Sequence, residues 1–180
     1  KLYHVSWINY GLESGEYAGA GYLSDSPNDN ENMAIGELSP ATNMRYYDFF
    51  TDEGGERIGN EEDLTYEHRK EAWYIDAMRA GKLTWSEIYL WEGTYSTMSV
   101  GIGQPIYRGH DQPVGAIGID LSLTKISNFL HTLKITPSTR LFIIEQNGMV
   151  VATSTTEAPF VWAGDQTKRL QISESTDPLV

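Results

Sequence analysis

Two stretches of the chain carry helical periodicity, and nearly everything around them reads as short extended runs closed by turns. Between residues 67 and 80, Ala72, Ala77, Met78 and Ala80 are good helix formers and Gly81 is a stop signal. Between 121 and 133, Leu123, Ile126, Phe129, Leu130 and Leu133 fall on one face at helical spacing. The extended runs are more numerous. Tyr3, Val5 and Trp7 alternate with smaller or polar residues, Glu13-Ser14-Gly15 makes a turn, and residues 17–22 return as a glycine-rich strand, giving a hairpin. Glycines inside a strand signal close approach by another backbone or a bound molecule, or plain sheet packing. Further strands are predicted at 45–50, 85–91, 94–107 and 114–120, the last two joined by Arg108-Gly109-His110-Asp111. Residues 24–44, rich in Asp, Asn, Ser and Pro, read as a long surface loop.

Residues 141–144 and 149–152 flank Asn147-Gly148, a strong short-range hairpin signal. Strands that outnumber helices and follow one another through tight turns give an α+β fold with an antiparallel sheet. The part after residue 136 starts a second module but offers only two strands, too few for a sheet of its own, as if truncated.

Charge and residue usage remove several function classes. The net charge is −12, and residues 1–63 hold three basic against thirteen acidic residues. No basic stripe is present to displace phosphate counterions, so nucleic acid is not an expected partner, nor is an anionic lipid surface. Cysteine is absent, which excludes disulfides, thiolate metal sites and thiol nucleophiles. No apolar run approaches the ~18–20 residues of a membrane span, so any membrane attachment is expected in segments outside this chain.

Catalytic motifs are also missing: no G-x-S-x-G elbow, Walker A, H-E-x-x-H or G-x-G-x-x-G occurs. His68 and Glu71 stand three apart on the predicted helix, yet two ligands make no metal site, and His68 reads as a surface histidine. Asp25-Ser26-Pro27-Asn28-Asp29-Asn30-Glu31 invites comparison with a calcium loop, but Asn30 and Gly36 stand where an EF-hand needs Gly and Glu. No cofactor, no metal and no enzymatic activity are expected. Eleven Tyr and five Trp are available to line a small-molecule pocket or to fill the core.

Three segments carry a resemblance when taken in order: Tyr66-Glu67-His68-Arg69-Lys70-Glu71-Ala72-Trp73-Tyr74, then Trp85-Ser86-Glu87-Ile88-Tyr89, then Gly115-Ala116-Ile117-Gly118-Ile119-Asp120-Leu121-Ser122-Leu123. With the Gly-Gln-Pro-Ile-Tyr strand between them, they resemble the membrane-distal module of a double-Cache, PAS-like sensor. Residues 141–154 resemble the start of the membrane-proximal module. The likeness covers about 140 residues. It implies a PAS-like antiparallel sheet flanked by helices over 1–120, a bridging helix at 121–136 and a partial second module at 137–180. It further implies the extracytoplasmic part, periplasmic or extracellular, of a bacterial membrane receptor feeding a histidine kinase, a chemoreceptor or a cyclase, and it allows a homodimer in the full receptor.

One subgroup of that family binds amino acids through Tyr-x4-Arg-x-Trp-Tyr, then a Tyr, then an Asp. Tyr66, Trp73, Tyr74, Tyr89 and Asp120 stand at matching places, but Glu71 occupies the Arg position. In the subgroup the Arg holds the ligand's carboxylate, whereas a Glu there repels one. Either Arg69 swings in to restore carboxylate binding, or Glu71 turns the pocket towards amines. The implied partner is a small polar molecule, an amine or amino acid. The plainer readings are that Trp73 and Tyr74 are core, that Tyr66 and Tyr89 lie on the surface, and that Asp120 caps the helix after it. A cytoplasmic PAS-type cofactor-binding or dimerisation module, and a secreted hydrolase using Glu71 and Asp120, are the competing functions.

Overall fold

The computed structural model describes residues 5–22, 33–52, 55–58, 61–63, 66–91, 97–133, 136, 138–163 and 166–178, and the chain divides into two compact units, Lys1–Leu121 and Ser122–Val180. Among the described residues the first unit builds one eight-stranded sheet from β1 (Trp7–Leu12), β2 (Tyr17–Gly21), β3 (Met33–Leu38), β4 (Tyr46–Thr51), β5 (Glu61–Asp63), β6 (Thr84–Leu90), β7 (Met98–Arg108) and β8 (Gln112–Ser122). The spatial order is β5-β4-β3-β2-β1-β8-β7-β6, so the first strand of the chain lies at the centre, between β2 and β8. The PAS-like α+β expectation holds: a large antiparallel sheet carries a helix, α1 (Ala72–Ala80), on one face.

Register decides which side chains meet. Trp7, Asn9 and Gly11 of β1 stand opposite Asp120, Gly118 and Ala116 of β8, and opposite Gly21, Gly19 and Tyr17 of β2. Residues directly opposite in an antiparallel ladder share a face, so these line one surface. Glycine supplies the floor of that surface. A Cβ on Gly118 would stand 2.6 Å from the Trp73 ring, one on Gly103 2.4 Å from the Trp73 carbonyl oxygen, and one on Gly11 2.3 Å from His68. The bare strands therefore let α1 and the turn before it lie close to the sheet. The glycine-rich β2 is explained the same way, since the Trp7 indole and the Tyr17 hydroxyl fill the space over Gly19. The core is accordingly aromatic: Tyr17, Tyr46, Trp73, Tyr74, Ala77 and Ala116, with Tyr66, Tyr89, Leu38 and Met78 packed against them.

Four expectations are corrected in this unit. The predicted helix over 67–80 is broken. A single 3₁₀ turn, His68–Lys70, is capped by the Glu67 side chain accepting from the Arg69 amide, and Glu71 then adopts an extended backbone (φ −74°, ψ 145°) before α1 starts. The helix stops where expected, at Gly81 in the left-handed region (φ 64°). The surface loop expected over 24–44 contains β3, paired with β2 and β4, and a capped 3₁₀ turn at Pro40–Thr42. His68 is fully buried rather than on the surface. Asp120 belongs to β8, and the cap of the following helix is Ser122, which accepts from the Lys125 amide. Tyr3, the Asp25–Glu31 comparison and the start of the strand expected at 94–107 lie outside the described residues.

The second unit begins with α2 (Leu123–Thr132), which buries Leu123, Ser127 and Leu130 while leaving Phe129 and Leu133 exposed. Ser127 Oγ accepts from the Thr153 amide of β10 at 3.2 Å. The Asn147-Gly148 hairpin forms as β9 (Phe142–Ile144) and β10 (Val150–Thr153), with Gly148 at φ +84°. Where only two strands were expected, a second antiparallel pair follows, β11 (Phe160–Ala163) with β12 (Gln166–Arg169). Arg169 ties it to the first hairpin, through Glu145 at 2.5 Å and the Val150 carbonyl at 3.1 Å.

Candidate functional site

The buried group that needs most explanation in the first unit is a carboxylate. Asp120 is 1% exposed and receives two short hydrogen bonds, from Asn9 Nδ2 to Oδ2 and from the Tyr89 hydroxyl to Oδ1, each 2.6 Å. Both donors are neutral. Burial raises its pKa from the ordinary 3.8 to about 6, against the downward pull of the bonds from Tyr89 and Asn9. A carboxylate desolvated without a cation is costly to the fold, and such groups concentrate at functional sites.

The surroundings are rings. Trp73 reaches the same spot from α1, because a Cβ added to Gly101 would touch Trp73 Cβ at 2.8 Å and Asp120 Oδ1 at 2.9 Å. The Trp91 indole donates to the Tyr89 hydroxyl at 3.4 Å and meets Trp7 edge-on at 6.1 Å. Trp7 Nε1 donates to the Tyr17 hydroxyl at 2.7 Å, which donates to Asn9 Oδ1 at 2.8 Å. Tyr17 leads on to Tyr66 at 4.9 Å and to His68 at 5.5 Å, and His68 meets Tyr74 at 5.2 Å. A continuous aromatic layer thus runs from the carboxylate to the 3₁₀ turn.

Of the residues singled out in the sequence, Asp120, Tyr89 and Trp73 come together directly. Tyr66 belongs to the same layer one ring further out, half-buried against Tyr17 and Tyr46. Burial raises its pKa, and the charges of Tyr17 and Glu71 raise it further. The Glu71 charge also acts on Tyr89, after burial and Asp120. Glu71 therefore sits within electrostatic reach of both tyrosines that border the site. Tyr74 is buried, and its hydroxyl donates to Glu13 Oε1 at 2.9 Å. Arg69 points the other way: it is exposed, its guanidinium bridges both Glu67 carboxylate oxygens at 2.7 and 2.6 Å, and it donates to the Glu13 carbonyl at 2.9 Å. That pairing holds the Glu67 carboxyl down at about 2.

Sequence reasoning missed Asn9, Trp7, Tyr17, Trp91 and His68. An Asn between large residues in an alternating strand was the available signal for the first, because Asn is depleted in strands and needs partners when buried. His68 Nε2 lies 3.0 Å from the Leu12 carbonyl, an acceptor, so this nitrogen carries the proton, and burial keeps the ring neutral. Among the described residues, no three His, Asp or Glu side chains form a metal-binding group, and no helix is long and apolar enough to cross a membrane.

A family model described as methyl-accepting chemotaxis protein-like, first PDC sensor domain, matches residues 13–128. No curated protein matches. Among solved structures, the chain is similar to the ligand-binding domain of the Pseudomonas aeruginosa amino acid chemoreceptor PctB in complex with L-Arg. There the identity is 19%, the match covers 81% of this chain and 45% of that one, and the TM-score is 0.49. The ligand-binding domain of PctC from the same organism, in complex with GABA, is 18% identical over 82% and 49%, TM-score 0.47. The Campylobacter jejuni chemoreceptor Tlp3 domain, in complex with 4-methylisoleucine, is 13% identical over 83% and 44%, TM-score 0.47. The chain spans under half the length of each of these structures.

Proposed function

Because the chain belongs to the methyl-accepting chemotaxis protein-like first PDC sensor domains, we propose that it senses a small ammonium-bearing ligand, an amine or amino acid, seated at Asp120. The observation that carries this is the buried carboxylate whose hydrogen-bond partners, Asn9 and Tyr89, are both uncharged. A cationic nitrogen brought to Asp120 supplies the missing charge, and aromatic faces add roughly 0.5–2 kcal/mol of cation–π attraction each. Trp73, Tyr89 and Tyr66 belong to that wall, with Trp7 and Trp91 completing it.

Amines are favoured over amino acids on two grounds. Glu71 adds a second negative charge felt at Tyr66 and Tyr89. Arg69, the cation that the sequence offered for holding a ligand carboxylate, is committed to Glu67 and the Glu13 carbonyl. In the whole receptor the domain is extracytoplasmic, held to the membrane by segments outside this chain, and carries no enzymatic activity of its own. The ligand acts by binding one conformation better than another, which is the only way a binding event shifts a signalling equilibrium.

A thermal-shift screen against primary amines, diamines, amino acids and short carboxylates tests the reading. A ligand at a hundred times its Kd stabilises the fold by about 2.7 kcal/mol. Amines are expected to shift the melting temperature of the wild type and not of Asp120→Ala. A hit that shifts both proteins equally overturns the placement, and a screen in which carboxylates alone respond overturns the chemistry.

A further inference from the structure

We propose that Trp7 is a positioning residue: through Tyr17 and Asn9, its donor-only indole commits Asp120 Oδ2 to accepting a hydrogen bond, so the site is set for a cation before one binds. The inference rests on Asp120 being the ligand's partner, and it adds the device that keeps this carboxyl ionised.

The argument follows the protons. An indole Nε1–H can only donate. Trp7 Nε1 lies 2.7 Å from the Tyr17 hydroxyl oxygen, so that oxygen accepts, and its single proton is free to go elsewhere. The remaining neighbour at bonding distance is Asn9 Oδ1, 2.8 Å away. Asn9 therefore presents its carbonyl oxygen to Tyr17 and turns its NH2 group to Asp120 Oδ2 at 2.6 Å. Turning the Asn9 amide over would set its carbonyl oxygen against Asp120 Oδ2, acceptor against acceptor, and would leave the Tyr17 proton without this partner.

The other carboxylate oxygen is governed in the same way. Trp91 Nε1 donates to the Tyr89 hydroxyl at 3.4 Å, and Tyr89 donates to Oδ1 at 2.6 Å. Two relays, each beginning at an indole, thus end on the two oxygens of one carboxylate. A protonated Asp120 would have to donate, and both positions along these bonds are taken by donors. Trp7, Tyr17 and Asn9 are 4%, 3% and 2% exposed, so water does not compete for the first relay.

Among the described residues, no positively charged group bonds Asp120. Facing Asp120 are Asn9 from β1, Tyr89 from β6, Gly101 from β7 and Trp73 from α1. Ser86 Oγ, also near, is spent on the Gly101 amide and the Glu87 carbonyl. The charges acting on the tyrosines of the layer include Asp48, through Tyr17, and Glu71, through Tyr66 and Tyr89; both are negative and oppose ionisation of Asp120.

The test needs no ligand. Asp120 is titrated in the unliganded protein by carbon NMR with labelled aspartate, its signal identified by its loss in Asp120→Asn. Trp7→Phe keeps a ring in place but removes the N–H, which lets Tyr17 turn and the Asn9 amide flip. The Asp120 midpoint is expected to rise by about one pH unit, as part of a charge-assisted bond is lost. Tyr17→Phe cuts the same relay and is expected to give the same rise, with the double variant no further displaced than either single one. If Trp7→Phe fails to fold, Tyr17→Phe alone decides. A midpoint that stays put in the relay variants while Tyr89→Phe moves it overturns the relay. That result would leave ligand binding at Asp120 untouched, because the screen with Asp120→Ala is read separately.

Discussion

Asn9 Nδ2 stands 2.6 Å from Asp120 Oδ2, a bond between residues 111 apart in sequence that crosses from the first strand to the eighth. The two sit one register step apart, Asn9 being opposite Gly118 and Asp120 opposite Trp7. The pairing of β1 with β8 is thus what completes the carboxylate's surroundings. The same pairing leaves a buried anion whose two side-chain partners among the described residues are neutral, and its consequences can be measured.

The first concerns acidity and stability. The folded pKa of Asp120, about 6, lies above its ordinary 3.8, so between these values the native state binds more protons than the unfolded chain. Stability contributed by this group is therefore greatest below pH 3.8 and declines as pH rises to about 6, by about 3 kcal/mol in all. Urea unfolding of wild type and Asp120→Asn at several pH values isolates the effect, since the other groups titrate alike in both. Wild type is expected to gain about 2.4 kcal/mol relative to the variant on going from pH 7 to pH 4, and a constant difference would count against the buried anion.

The second concerns Tyr89. Its hydroxyl gives Asp120 one of its two bonds, and bonds to charged groups are worth about 1.5–3 kcal/mol. Tyr89→Phe is expected to weaken binding of an amine hit by about ten- to a hundredfold. Calorimetric titration at pH 7.5 checks this.

The third concerns ligand choice. Glu71 lies at the junction between the 3₁₀ turn and α1, and its charge reaches Tyr66 and Tyr89. Glu71→Arg replaces a repelling group by a bidentate carboxylate binder. The variant is expected to lose amine hits and gain amino acids in the thermal-shift screen. Unchanged ranking would place Glu71 outside the ligand's reach.

The aromatic layer could be read only partly from the sequence. Asp120, Tyr89 and Trp73 stood out because their order and spacing resemble a known sensor. Asn9 and Tyr17 did not, because their role depends on which strand folds against β1, and no local periodicity encodes that. His68 was hidden by its charged neighbours Glu67, Arg69 and Lys70, which suggest a solvent-facing turn; the extended Glu71 turns the ring inwards instead. Strand β3 escaped notice because its residues follow a polar stretch and take their partners from β2 and β4. The β11–β12 pair escaped because Gln166-Thr167-Lys168-Arg169 carries no apolar alternation.

A fourth expectation follows from the glycine floor. Gly101→Ala places a methyl 2.8 Å from Trp73 Cβ and 2.9 Å from Asp120 Oδ1, and neither neighbour can retreat without breaking the layer. Overpacking of this kind costs about 1–3 kcal/mol. The variant is expected to melt several degrees lower and to bind amines poorly. Normal binding with a lowered melting temperature would show that the floor supports the helix but not the site.

The pH dependence of ligand affinity tests the account most directly. Primary amines stay cationic between pH 5 and 7.5, whereas a carboxyl with a pKa of about 6 is mostly ionised at the upper value and about nine-tenths protonated at the lower. Calorimetry on the best amine hit should therefore show affinity falling about tenfold at pH 5, with proton release on binding there. An affinity equal at both pH values, with no proton released, would contradict the role given to Asp120.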